Sequence, residues 1–179
     1  VLHAPSNQLL KGTQVIEPVL SALHDEGLIE YRRLVDLDHA QTAGAIRSAD
    51  IVVDQLGMGL YGALACEAMA AGRVVLAEVG DTVRSRTPGT KPPIVEITAE
   101  TLEPVIRRLV GESRDEGRAA AAAGPAYVAE YHDGTAAAQQ RGTAAGRVHG
   151  VPARHLGSGN SRPHRSISYF GTRSKRYVA

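Results

Sequence analysis

From Val1 to about residue 135, short apolar runs alternate with stretches whose apolar residues recur at helical spacing, and this alternation limits the possible folds most. "VLHA" reads as a strand running into the polar loop "PSNQLLKG". "TQVIEPVLSALHDEG" carries Val15, Ile16, Val19, Leu20 and Leu23 on one helical face and stops at Gly27, with Pro18 near enough to the start for a first turn to tolerate it. "LIEYRRLV" predicts a strand, "HAQTAGAIRSA" a short helix with Ala40, Ala43 and Ile46 on one face, and "DIVVDQL" an apolar strand. "YGALACEAMAAG" predicts a helix ending at Gly72, "RVVLAEVG" a strand, "DTVRSRTPGTKPP" a loop and "IVEI" a short strand. "AETLEPVIRRLVGE" is a helix, and "GRAAAAAGPAYVAEYH" one or two more with a break at Pro125. Segments of these lengths in this order build an α/β fold, a parallel sheet with helices on both faces. Such sheets bind ligands outside the carboxyl ends of their strands. Three loops therefore matter: "PSNQLLKG", "VDLDHAQ" and "QLGMGLYG".

With 43% hydrophobic but only 4% aromatic residues, the core must be built from Ala, Val, Leu and Ile. The 179 residues suffice for one domain with a real core. No apolar run approaches the length of a membrane span, and no signal-peptide pattern is visible, so a cytoplasmic location is expected. Cys66, the single cysteine, lies in an apolar helical pattern and reads as core filler and not as a nucleophile. The opening "VLHAPS" enters directly on a strand, as an interior piece of a longer architecture would.

Charge divides the chain. Residues 1–133 carry 12 Lys/Arg and 19 Asp/Glu, a net of −7, whereas residues 134–179 carry 8 Lys/Arg and no acid, a net of +8. The expected organisation is a ligand-binding domain over 1–135 and a basic tail over 136–179 too poor in apolar periodicity to offset its ordering entropy. Eight cations with Tyr169, Phe170 and Tyr177 suit nucleic acid or anionic lipid. The same mix of Arg, Gly, Ala, His and Pro is what a shifted reading frame in GC-rich DNA yields, and no nucleic-acid partner is expected.

The stretch "GMGLYGALACEAMAAG", residues 57–72, opens with G-x-G-x-x-G, and Glu78 follows Gly57 by about 20 residues, the spacing of a dinucleotide fingerprint. On that reading Gly57, Gly59 and Gly62 admit pyrophosphate and Glu78 binds a ribose. The fingerprint belongs to the first strand–helix unit of its domain, however, and here two such units precede it.

The rest of the stretch supports another reading. Tyr61-Gly62, then "EAMAAG" at Glu67 to Gly72, then Val74-Val75 form one block; "SADIVVDQ" leads into it, "APSNQLLKG" opens the chain and "AYVAEYHD" closes it. In this order, over about residues 1–135, the chain resembles the carboxyl-terminal, nucleotide-sugar-binding domain of the GT-B glycosyltransferases in the glycosyl transferases group 1 family. The resemblance implies a Rossmann-like domain that transfers a sugar from a nucleotide diphosphate-sugar to an acceptor hydroxyl with retention. Its partners would be an acceptor and an amino-terminal GT-B domain, with no metal or further cofactor.

Residue by residue, the resemblance implies that Lys11 contacts the diphosphate and that Glu67 accepts hydrogen bonds from the ribose hydroxyls. Ser6 and Asn7 add polar donors beside Lys11, and Gly59, Leu60, Tyr61 and Gly62 present backbone N–H groups to sugar and phosphates. Where the family has a first glutamate eight residues before the second, this sequence has Gly59; Asp54 and Gln55 are the nearest groups that could replace its hydrogen bonds. Asp36-Leu37-Asp38 spells D-x-D, which suits either a metal or a helix cap. His3 is expected to be a packed, hydrogen-bonded side chain. Two alternatives stay open: an inactive nucleotide-binding module and an NAD-dependent oxidoreductase domain.

Overall fold

The computed structural model describes residues 1–35, 38–86, 90–111 and 113–132. The basic segment 136–179 expected to be a tail lies outside the described residues. Among these residues five parallel strands form one sheet: β1 (Leu2–His3), β2 (Arg32–Arg33), β3 (Ile51–Gln55), β4 (Val74–Ala77) and β5 (Val95–Glu96), in the order β2-β1-β3-β4-β5. Among the described residues six helices connect and close them: α1 (Thr13–Asp25), α2 (His39–Arg47), α3 (Ala63–Ala70), α4 (Asp81–Arg86), α5 (Leu102–Val110) and α6 (Arg114–Tyr131). This is a Rossmann-like α/β architecture.

The period of two along the central strands divides the core. Val52, Val75 and Ala77 point to a cluster with Ile46 of α2, Ala65, Ala68 and Met69 of α3, and Tyr127 of α6. Ile51, Val53 and Leu76 point the other way, to Ile16, Leu20 and Leu23 of α1 and Leu102, Ile106 and Leu109 of α5. Alternate residues of one strand thus carry helices on both faces.

Four local expectations are corrected. The strand expected over "LIEYRRLV" narrows to Arg32–Arg33, an edge strand that pairs only with the two residues of β1. The loop expected after β4 contains α4, docked through the buried Val83. Pro125 does not break α6, which runs from Arg114 to Tyr131 with Tyr127 anchored in the core beyond it. Pro18 lies in the second turn of α1 and not the first; it and Gln14 are both exposed, so water can meet the carbonyl whose donor is missing.

His3 is fully buried at the end of β1. Its Nδ1 lies 2.9 Å from the Val53 carbonyl, which can only accept, so Nδ1 carries the proton and Nε2 accepts from the Thr13 hydroxyl, also at 2.9 Å. Burial pushes its pKa below the ordinary histidine value. A folded-state pKa below the unfolded one means that the unfolded chain binds the proton more readily. The stabilisation is therefore complete above about pH 6.5 and is lost as pH falls through the folded value. Melting temperature followed from pH 8 to 5 is expected to fall more steeply on the acid side in the wild type than in His3→Gln; parallel curves would contradict a neutral, buried His3.

Candidate functional site

The chain leaves β1 toward β2 on one side and returns to β3 on the other, so the loops after β1 and β3 diverge and leave a crevice at the carboxyl ends of the strands. A cavity of about 400 Å³ lies there. Ser6 and Lys11 reach it from the first loop, His39 and Thr42 from α2, and Ala63, Leu64 and Glu67 from α3. Lys11 and Glu67, 56 positions apart in sequence, thus line the same space. The side chain of Glu67 is about one-third exposed, with Oε1 3.7 Å from His39 Nδ1. At the other wall, the first residues of α3 border the cavity, and the opening N–H groups of a helix have no partner within it.

Lys11 is not free. Its Nζ donates to Asp54 Oδ1 at 2.6 Å, with the lysine side chain 11% and the aspartate side chain 0% exposed. The second oxygen, Oδ2, accepts from the Gly62 N–H at 2.8 Å. The β3–β4 register shifts between Val53 and Gln55, which leaves Asp54 as the extra residue; such a slip re-aims a side chain.

Several of the expected site groups are engaged within the fold. Asp54, with both oxygens engaged and no exposed surface, is not available to replace the sugar contact of a missing glutamate. Gln55 is not available either, since Nε2 donates to the Glu78 carbonyl and Oε1 accepts from Met58 N–H. The Gly62 N–H, expected to face a ligand, is donated to Asp54. Gly59, Leu60 and Tyr61 lie outside the cavity lining. At Gly59 the backbone is left-handed, with φ +63°, and a Cβ there would lie 3.2 Å from the backbone of Gly80. A glutamate at this position would be strained, which accounts locally for the departure. Asn7 is exposed beside the cavity; its side-chain oxygen accepts from Leu10 N–H and shapes the turn that presents Lys11.

Glu78 turns back on the glycine loop, where its Oε2 accepts from Gly57 N–H at 2.6 Å. The carboxylate that a dinucleotide fingerprint would give to ribose is therefore engaged inside the loop. Asp38 caps α2: its Oδ1 accepts from Gln41 N–H and its own N–H donates to Gln41 Oε1. Asp36 and Leu37 lie outside the described residues. Cys66 packs against the core, and burial raises its thiol pKa, which keeps it protonated.

Some neighbours were missed by the sequence reading. His39 and Thr42 enter the cavity from an α2 whose apolar pattern marks only its opposite face, and Leu34 enters from the end of β2. Tyr61 bonds through its hydroxyl to Tyr127 OH and to His132 Nε2, each at 3.0 Å, tying the glycine loop to the end of α6. Burial and the Tyr127 hydroxyl push the Tyr61 pKa up, so the phenol stays protonated. The scarcity of aromatic residues was the available signal. No family model matches the chain, and comparison with curated proteins finds no match.

Proposed function

We propose that this chain is the donor-binding domain of a GT-B glycosyltransferase, acting with an amino-terminal domain that holds the acceptor. What carries the reading, beside the resemblance of "EAMAAG" and its flanks, is one observation: an ammonium, Lys11, and a carboxylate, Glu67, line a single cavity at the carboxyl ends of the strands. A nucleoside diphosphate needs a cation for its phosphates and an acceptor for its ribose hydroxyls, and these are the two groups at hand. When the bond from the anomeric carbon to the diphosphate oxygen breaks, negative charge grows on that oxygen. Lys11 and the first N–H groups of α3 stabilise this charge; the glycine-loop N–H of Gly62, already bound to Asp54, takes no part. Ser6 adds a hydroxyl beside the phosphates. Among the described residues no helix is long and apolar enough to cross a membrane.

Gly59 favours a second reading, a nucleotide-binding module without transfer activity, because the sugar-contacting glutamate of the family is absent and its loop position is strained for any side chain. Calorimetry with UDP, GDP, ADP and NAD tests the reading. Binding of at least one nucleoside diphosphate is expected, weakened about tenfold or more in Glu67→Ala through loss of charge-assisted hydrogen bonds. Binding of NAD alone would overturn it in favour of the oxidoreductase. A transfer assay with the second domain supplied then separates enzyme from inactive module.

A further inference from the structure

We propose that Asp54 is the positioning residue of this site: it fixes the Lys11 ammonium at the amino end of α3 and acts on a bound anion only through Lys11. The inference rests on the reading of the cavity as a diphosphate site. A carboxylate with no exposed surface is costly unless paired and hydrogen-bonded, and the two partners of Asp54 come from the two loops that flank the crevice. Lys11 Nζ rests against the glycine that precedes α3, only 2.9 Å from where a Cβ of residue 62 would lie. An ammonium has three N–H donors. Asp54 takes one at 2.6 Å and leaves two for an anion that would also meet the opening N–H groups of α3.

The charge of Asp54 makes the claim testable by sign. A carboxylate this close to an anion site repels the anion, so simple removal of its charge in Asp54→Asn would tighten binding. A positioning role demands the reverse. Pyrophosphate binding by the full chain is measured calorimetrically in wild type, Asp54→Asn, Lys11→Met and the double variant. The expected result is a loss of about tenfold or more in Asp54→Asn, comparable to that in Lys11→Met, and no further loss in the double variant. Tighter binding in Asp54→Asn, or additive losses in the double variant, would overturn the proposal.

If the wild type does not bind pyrophosphate, the diphosphate reading of the cavity fails, and the clamp is judged without ligand. Acylation by an amine reagent is then compared at Lys11 and at the 78% exposed Lys91. Lys11 is expected to react more slowly in the wild type and as fast as Lys91 in Asp54→Asn; protection that survives in Asp54→Asn would overturn the proposal. Should Asp54→Asn fail to fold, the wild-type rates decide: slow acylation of Lys11 supports the clamp, and equal rates at the two lysines refute it.

Discussion

Replacing Lys11 by methionine is expected to destabilise the fold by about 3–5 kcal/mol, the usual cost of removing one partner of a buried ion pair. The cost does not come from the lost attraction alone. Asp54 has no exposed surface, and without Nζ it keeps, among the described residues, the Gly62 N–H alone. Water cannot reach it to compensate, so a charge that was paired becomes a charge desolvated with one partner. The double variant Lys11→Met, Asp54→Asn removes the stranded charge and is expected to recover much of the loss. Denaturant unfolding of the wild type, the two single variants and the double variant measures this directly. A Lys11→Met change within about 0.5 kcal/mol of wild type, as for an ordinary surface lysine, would contradict the buried pair.

The second large effect lies next in the chain. Gly12 precedes α1 with φ +68°, and a Cβ there would lie 2.6 Å from the Leu56 carbonyl oxygen. The close approach is needed because Leu56 N–H donates to the Lys11 carbonyl at 3.1 Å, which binds the first loop to the end of β3. Gly12→Ala therefore incurs the left-handed backbone, about 1–2 kcal/mol, and a clash against main chain that cannot swing aside, about 1–3 kcal/mol more. A total loss near 3 kcal/mol is expected from the shift in urea midpoint at unchanged slope. Pyrophosphate affinity should fall with it, because Lys11 sits on the displaced segment. A neutral Gly12→Ala would mean that the loop is not held as described.

How far the sequence reveals this arrangement depends on what each feature is made of. β3 and β4 are legible through the apolar runs Ile51–Val53 and Val74–Ala77, and α1 and α5 because apolar residues recur along one face of each. α4 is not, since among Asp81–Ser85 only Val83 is buried in the core. The extent of α6 is hidden by Pro125, because a proline inside a helix is a local penalty that the tertiary anchor of Tyr127 outweighs. Lys11 and Glu67 were found through motif resemblance, and their shared cavity follows from a strand order that no local pattern encodes. Asp54 was found as a residue but not as a role. Its side chain is turned by a one-residue register slip against β4, and its partner lies 43 positions earlier. The His3 ring, bonded to Val53 and Thr13, illustrates the same limit: the residue type suggests a hydrogen-bonded core histidine, while its partners are products of the fold.

The most direct test compares a ribonucleoside diphosphate with its 2′,3′-dideoxy form, using whichever of UDP, GDP and ADP binds the full chain. With Lys11 on the phosphates and Glu67 on the ribose hydroxyls, the wild type should prefer the ribonucleotide by about tenfold or more. In Glu67→Ala that preference should vanish while pyrophosphate binding stays at the wild-type level. Equal affinity for the two nucleotides in the wild type, or a preference that survives in Glu67→Ala, would contradict it.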